Sequence, residues 1–425
     1  MKSTGNLRTE HLSQPVTLGS GTKLSNRLMK SALSEALGDR DSAPTRRLTR
    51  LYEVWADGGY GLVVTGNVMV DRRHRGEPGN VVIEDERHLE GFKQWAATFA
   101  DSDAQLWMQI NHPGRQANAM ISRQRPVAPS AVQAKAPGSV KPRALKDAEI
   151  RQIIDRYALA ATVAQKAGFD GVQLHGAHGY LITQFLSPLS NVRDDAWGGD
   201  AERRRRFVLE VFRATRAATG PEFPIGIKLN SADFQRGGFT PEESRDVVSA
   251  LVAEGIDMIE LSGGSYEAPA MMGTVTAPKA ASTIAREAYF LEYAAAVRDL
   301  VGDVPVAVTG GFRSVEAMEA AVAQGDCDIV GLGRPACTDP DAARQVLDGT
   351  VDRLPSHGVR LGFRPILGRV VNLKQMDGGL DLQWHTDQLH RLGAGLDPDP
   401  DRGWKTAMTA MVLRNGLGAF RAKRG

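Results

Sequence analysis

The stretch AGFDGVQLHGAHGY, Ala167 to Tyr180, carries three signals in order. Gly168 follows a helical pattern and supplies the left-handed cap at which a helix stops. Gly171–His175 is a short apolar run of strand character, and His175, His178 and Tyr180 then cluster at its end. The same stop-then-strand pattern recurs as AEGIDMI at residues 253–259 and AQGDCDIV at 323–330. From about residue 27 to 348, short β-branched runs alternate with longer helical patterns, which argues for parallel βαβ units. The predicted strands are Leu28–Ser31, Gly61–Val68, Gln105–Ile110, Gly171–His175, Ile225–Asn230, Met258–Leu261, Val306–Thr309 and Ile329–Leu332. Helical patterns fall near Thr45–Asp57, His88–Asp101, Asp147–Ala167, Ala201–Thr219, Pro241–Glu254, Ile284–Val301, Val315–Gln324 and Pro340–Leu347. Eight strand–helix pairs fit an α/β protein with a single (β/α)8 barrel of TIM type and long active-site loops better than an open sheet.

Two segments fall outside this rhythm. Pro113–Arg143, rich in Pro, Ala, Ser and Arg, is a long excursion after the third strand, on the side where a barrel keeps its active site. Within it the loop Ala117–Arg143, together with the loop Gly264–Ala281, is expected to set the size of the pocket. Residues 350–425 read as a C-terminal helical extension beyond a barrel of residues 1–349, with helical patches at Gly368–Gln375 and Lys405–Leu413. The extension is expected to cap the barrel exterior, with a share in the pocket or in a subunit interface the less favoured reading.

The 425 residues are 42% hydrophobic and 24% charged, enough apolar content for a large core. A formal charge of +2 lacks the electrostatic footprint of a nucleic-acid or anionic-membrane binder. Arg203–Arg206 is the local exception and reads as a solvated helix face. Two cysteines, Cys327 and Cys337, are too few for a disulfide framework or for the four thiolates of an iron–sulfur cluster. With no signal-peptide run and no long apolar stretch, a cytoplasmic location and a small-molecule substrate are expected, with no membrane partner.

In a barrel, catalytic groups sit at the C-terminal ends of strands. Two imidazole N–H groups from His175 and His178, converging on one carbonyl or nitro oxygen, stabilise the charge that develops when hydride adds to a conjugated carbon. Tyr180, a phenol with a pKa of about 10, can deliver a proton to the adjacent carbon. The competing reading is a packed or metal-binding His-x-x-His pair. Zinc usually takes a third ligand from a rigid element, and the neighbourhood supplies Tyr, Gln184 and Ser187 in place of a carboxylate or thiol.

The longer stretch GFDGVQLHGAHGYLITQFLSPLSNVRDDAWGG, residues 168–199, resembles the signature of the old yellow enzyme family, the NADH:flavin oxidoreductases. The resemblance extends over about residues 15–348 and implies a TIM barrel with non-covalent FMN. It also implies that His175 and His178 bind the substrate anion and that Tyr180 donates the proton. A flavin phosphate needs N–H groups of glycine-rich turns, and VTGGFRS and GLGRPACTDP follow strands seven and eight, where barrel phosphate sites commonly lie. Gly310, Gly311, Gly333 and Arg334 are the candidates, and both turns resemble the family's phosphate segments.

Gln109, ending LWMQ, matches a family glutamine and can bond the flavin's pyrimidine edge. Lys228 points where many relatives carry arginine, keeping the cation but losing the fork. An unpaired lysine inside a barrel strand would be costly, which favours a functional reading of this one. Ala32, Leu33 and Ser34 match the family's flavin-facing first strand, and Gly66 and Asn67 are expected against the flavin from strand two.

The expected activity is FMN-dependent reduction of the activated C=C bond of an α,β-unsaturated carbonyl or related compound, with NADH or NADPH as reductant. Without a GxGxxG domain the nicotinamide is expected to stack on the flavin directly. Rival readings are an amine dehydrogenase or demethylase on the same fold and a flavin-free phosphate-binding aldolase or isomerase, for which Lys228 is the Schiff-base candidate. Self-association into a homo-oligomer is also expected from the resemblance.

Overall fold

The computed structural model describes residues 9–135, 138–262, 291–359 and 373–415. Eight strands form the centre: β1 (Leu28–Lys30), β2 (Leu62–Val64), β3 (Gln105–Asn111), β4 (Gly171–Gly176), β5 (Ile225–Asn230), β6 (Met258–Ser262), β7 (Val306–Thr309) and β8 (Ile329–Leu332). Each pairs in parallel with the next, and β8 pairs with β1, so the sheet closes on itself as a (β/α)8 barrel. Around it run α1 (Arg46–Ala56), α2 (Leu89–Ala96), α3 (Asp147–Ala167), α4 (Ala201–Thr219), α5 (Pro241–Ala253), α6 (Leu291–Val301), α7 (Val315–Ala323) and α8 (Ala342–Leu347). Gly168 caps α3 in the left-handed conformation at φ 92°, and Gly255 and Gly325 take positive φ after α5 and α7.

Successive strand residues point alternately inward and outward. The outward set, such as Leu106, Met108, Val172, Leu174, Ile227, Leu229, Ile259 and Val308, belongs to the large core beneath the helices. The inward set has an apolar floor of Met29, Leu62, Val64, Trp107, Met258, Ala307 and Ile329. A short hairpin, Val16–Thr17 paired antiparallel with Lys23–Leu24, adds Val16, Leu18 and Leu24 to this floor. Trp107 fits there because its neighbours on β4 and β5 are glycines. A Cβ at Gly171 would stand 2.7 Å from the indole, and one at Gly226 would stand 2.9 Å away.

Several expected boundaries shift. The strand foreseen at Gly61–Val68 breaks after Val64, because the Gly66 N–H turns to the Glu35 carboxylate (2.8 Å), and pairing resumes at Val68–Met69. The helix foreseen at His88–Asp101 ends at Ala96 and continues as one tighter turn, Ala97–Phe99. Residues 284–290 of the helix expected at Ile284–Val301, and the whole loop Gly264–Ala281, lie outside the described residues.

In the tail, α9 (Leu373–Gly393) runs straight through Gly378 and Gly379, and α10 (Trp404–Asn415) packs on it. The patch foreseen at Gly368–Gln375 thus catches only the start of a much longer helix, and its residues 368–372 lie outside the described residues. Arg47 on α1 donates to the His390 carbonyl at 2.8 Å, and Asp387 takes Arg414 at 2.6 Å, fastening both tail helices to the barrel. Among the described residues, no helix is long and apolar enough to cross a membrane.

The floor gives a direct stability test. Gly171→Ala forces a methyl into the Trp107 ring, and overpacking of this kind costs about 1–3 kcal/mol. Urea unfolding should show a lower midpoint at unchanged slope, the midpoint shift times the slope equalling that loss. An unshifted midpoint would mean that the indole has room to move.

Candidate active site

The C-terminal strand ends open into a cleft of about 1480 Å³, mouth included. The residues singled out in the sequence, Gly66 excepted, line this one cleft: Ala32, Leu33, Ser34, Asn67, Gln109, His175, His178, Tyr180, Lys228, Gly310, Gly311, Gly333 and Arg334. Gly66 does not, because its N–H and the space where a Cβ would stand are taken by Glu35. Among the described residues, none from Ala117–Arg143 lines the cleft, contrary to the expected role of that loop. The excursion acts indirectly, through Gln116, whose side-chain amide donates to the His178 carbonyl at 2.9 Å.

The histidine turn is held tightly. His178 takes a positive φ of 62°, a conformation that is costly for a residue with a side chain and persists only when its surroundings fix it. Its N–H donates to the Asn230 side-chain oxygen at 3.1 Å, its ring bonds the Ser262 hydroxyl at 2.9 Å, and Gln184 grips the next carbonyl, that of Gly179, at 2.7 Å. The rings of His175 and His178 stand edge to face with centroids 5.1 Å apart, and Tyr180 lies 4.8 Å from His175. Ala177 N–H donates to Nδ1 of His175 at 3.3 Å, which leaves the proton of the neutral ring on Nε2.

Burial, the neighbouring imidazole and Lys228 together hold His175 well below the usual imidazole value. Burial first, and Lys228 second, bring His178 down to about 3. Both rings are therefore neutral near pH 7: His175 offers its Nε2–H, and His178 offers its Nδ1–H when the Ser262 hydroxyl donates to its Nε2.

Below the histidines lies a belt of buried polar groups. Glu260 accepts from Lys228 Nζ at 2.8 Å, from the Thr309 hydroxyl at 2.6 Å and from Gln173 Nε2 at 2.7 Å. Gln173 in turn accepts from Gln109 Nε2 at 2.8 Å, so the Gln109 carbonyl oxygen stays available as an acceptor. The cost of an unpaired lysine, which favoured a functional reading of Lys228, does not arise: Glu260 stands directly opposite it on the adjacent strand. Glu260 went unnoticed in the sequence, although a carboxylate inside an otherwise apolar strand signals a buried partner. Asn230 and Ser262 were also missed, each two residues beyond a belt member and therefore on the same inward row.

At the other end of the cleft, Gly310 (φ 137°) and Gly311 (φ 90°) turn the chain after β7 through conformations open to glycine. Arg334 lies beside them and pairs with Asp381 on α9 at 3.0 Å. Gly378, Asp381, Leu382, Gln383, His385, Thr386 and Leu389 also line the cleft. The tail thus enters the site, against the expectation of a purely exterior cap. Cys337 lines the same end, its thiol pushed up to about 12 by burial.

These buried histidines link stability to pH. Burial is the leading cause that brings His112, His178 and His390 down to about 3 and His385 to about 4, against 6.5 for an ordinary imidazole. Below about pH 6.5 the unfolded chain takes up protons that the folded chain refuses, so each such ring removes on the order of 1 kcal/mol of stability per pH unit. Thermal stability of the cofactor-free protein should be flat from about pH 8, below which the buried Lys30 is protonated whether folded or unfolded, down to pH 6.5, and should fall steadily between pH 6.5 and 4. A flat profile across that window would contradict the neutral, buried state of these rings.

Residues 11–352 match the family model described as the NADH:flavin oxidoreductase / NADH oxidase family. The NADH-dependent flavin oxidoreductase iliE of Hypocrea jecorina is 37% identical over 362 residues, covering 79% of this chain and 89% of that protein. Among solved structures, a 2-naphthoyl-CoA reductase in complex with 2-naphthoyl-CoA superposes with a TM-score of 0.75 at 27% identity, over 81% of this chain and 54% of that one. The old yellow enzyme homologue of Zymomonas mobilis superposes with a TM-score of 0.70 at 26% identity, over 81% and 94% of the two chains. The match across most of the barrel, in a chain whose strand ends gather the positions expected to face the flavin and the histidines into one cleft, makes this protein a member of the NADH:flavin oxidoreductase / NADH oxidase family, an FMN-dependent oxidoreductase of the old yellow enzyme type.

Proposed function

We propose that the protein reduces the activated C=C bond of an α,β-unsaturated carbonyl or related compound, with NADH or NADPH as the source of electrons. The observation that carries the proposal is the pair of neutral imidazoles, 5.1 Å apart at the mouth of the barrel, with Tyr180 alongside. The 2-naphthoyl-CoA reductase among the structural neighbours supports a substrate whose double bond is conjugated to a carbonyl.

The residues present fit FMN. Gln109 keeps a free acceptor for the N–H of the pyrimidine edge, and Lys228, fixed by Glu260, supplies the cation that a reduced ring requires nearby. Ala32, Leu33, Ser34 and Asn67 border the same space, the Ser34 hydroxyl tied to the Asn67 side-chain oxygen at 3.1 Å. Gly310, Gly311, Gly333 and Arg334 offer backbone N–H groups and a guanidinium for the phosphate. When bound, FMN supplies hydride chemistry between the nicotinamide and the double bond.

The protein's own groups do the rest. His175 and His178 each direct one N–H to the substrate oxygen and so stabilise the charge that gathers there as the β-carbon is reduced. Tyr180 gives its phenolic proton to the α-carbon, completing the saturated product. Because burial, helped by Lys228, keeps both rings neutral, they act as hydrogen-bond donors and leave proton transfer to the phenol.

Tyr180→Phe separates the two halves of the cycle. Under anaerobic conditions the variant should be bleached by NADH or NADPH at the wild-type rate. Its reoxidation by 2-cyclohexenone should slow by about 10²–10⁴-fold, the usual worth of a positioned general acid. Equal rates in both halves would remove Tyr180 from the chemistry. Bleaching by a secondary amine, with none by nicotinamide, would instead assign the chain to amine oxidation.

A further inference from the structure

We propose that Asp381, on the tail helix α9, is a positioning residue for the cofactor phosphate: it fixes the Arg334 guanidinium at the phosphate end of the cleft and so makes α9 part of the FMN site. The inference rests on the reading of Arg334 as a phosphate-binding group.

Arg334 follows β8 directly, and its side chain is 34% exposed where it borders the cleft. An arginine so placed has many rotamers, and a ligand must bear the loss of that freedom on binding. Asp381 removes it in advance. One carboxylate oxygen accepts from Arg334 Nη1 at 3.0 Å, and the other accepts the Val359 N–H at 3.1 Å. One helical turn on, His385 donates Nδ1–H to the Asp381 carbonyl at 2.8 Å and packs its ring against Trp384, with centroids 4.9 Å apart. The carboxylate is thus held from α9 and from the segment after α8, and both of its oxygens are occupied before any anion arrives.

A guanidinium presents five N–H donors in one plane. The single bond to Asp381 leaves other donors for a phosphate, which favours planar, two-point contact. Asp381 also connects two parts of the chain. The short helix Pro335–Thr338, immediately after Arg334, packs on α9, and α9 is tied to α1 through Arg47. Cofactor binding and docking of the tail therefore share one ion pair.

The test uses the full-length protein, stripped of flavin and titrated with FMN and with riboflavin, which lacks the phosphate. Asp381→Asn should weaken FMN binding by about tenfold or more, equivalent to the loss of one charge-assisted contact. Riboflavin binding should be unchanged, and Asp381→Glu should restore most of the FMN affinity. Arg334→Ala should abolish the preference for FMN over riboflavin, and Asp381→Asn should add nothing in that background. Thermal unfolding of each flavin-free variant identifies any loss of fold. If Arg334→Ala leaves the preference intact, the phosphate reading of Arg334 fails. If it abolishes the preference while Asp381→Asn leaves FMN binding unchanged, tightens it, or weakens both flavins alike, Asp381 does not position the fork and the inference is overturned.

Discussion

A carboxylate sealed inside a barrel must be surrounded by donors, and Glu260 meets that demand with groups from three other strands. Lys228, Thr309 and Gln173 all turn toward it, and Gln109 completes the line. Ion pairs of this kind contribute little net stability, because desolvation offsets attraction, but removing one partner strands a buried charge. What the belt fixes is geometry. It ties five strands together at one level above the apolar floor and leaves the Gln109 oxygen and the Lys228 charge at defined places beneath the cleft.

The active site continues the same inward rows by one step. Gln173 leads to His175, Lys228 to Asn230, and Glu260 to Ser262, each two residues along its strand. Asn230 and Ser262 then hold His178 in a backbone conformation that its side chain disfavours. Lys228 has a second effect, since its charge helps to keep both imidazoles unprotonated. The belt thus joins Gln109 and Lys228, the groups proposed to meet the cofactor, to the histidines proposed to meet the substrate. The tail enters this scheme from outside the barrel, through Asp381 and Arg334.

Much of this was legible in the amino-acid order, and for identifiable reasons. Helix stops at Gly168, Gly255 and Gly325 need left-handed backbone that glycine adopts freely, so they marked the strands that follow. Polar residues at strand ends stand out against apolar runs, which marks His175, whereas Gln109 and Lys228 are assigned through the resemblance to the family at matching strand ends. Glu260 was lost because its meaning lies across the sheet, in the register that sets it opposite Lys228, and a reading along one strand does not reveal register. The helix α9 was cut short because Gly378 and Gly379 have low helix propensity, whereas its packing on α1 and α10 overrides that local cost. Gly66 was misplaced since nothing local indicates that its N–H leaves the ladder for Glu35.

The central claim is that His175 and His178 together receive the oxygen of the reacting molecule. A crystal structure of the FMN-loaded protein with a para-substituted phenol, whose oxygen mimics the developing enolate, tests it most directly. The phenol oxygen is expected within about 2.7–3.2 Å of one ring nitrogen from each histidine. A phenol oxygen bound elsewhere in the cleft, with both imidazoles out of its reach, would contradict the claim.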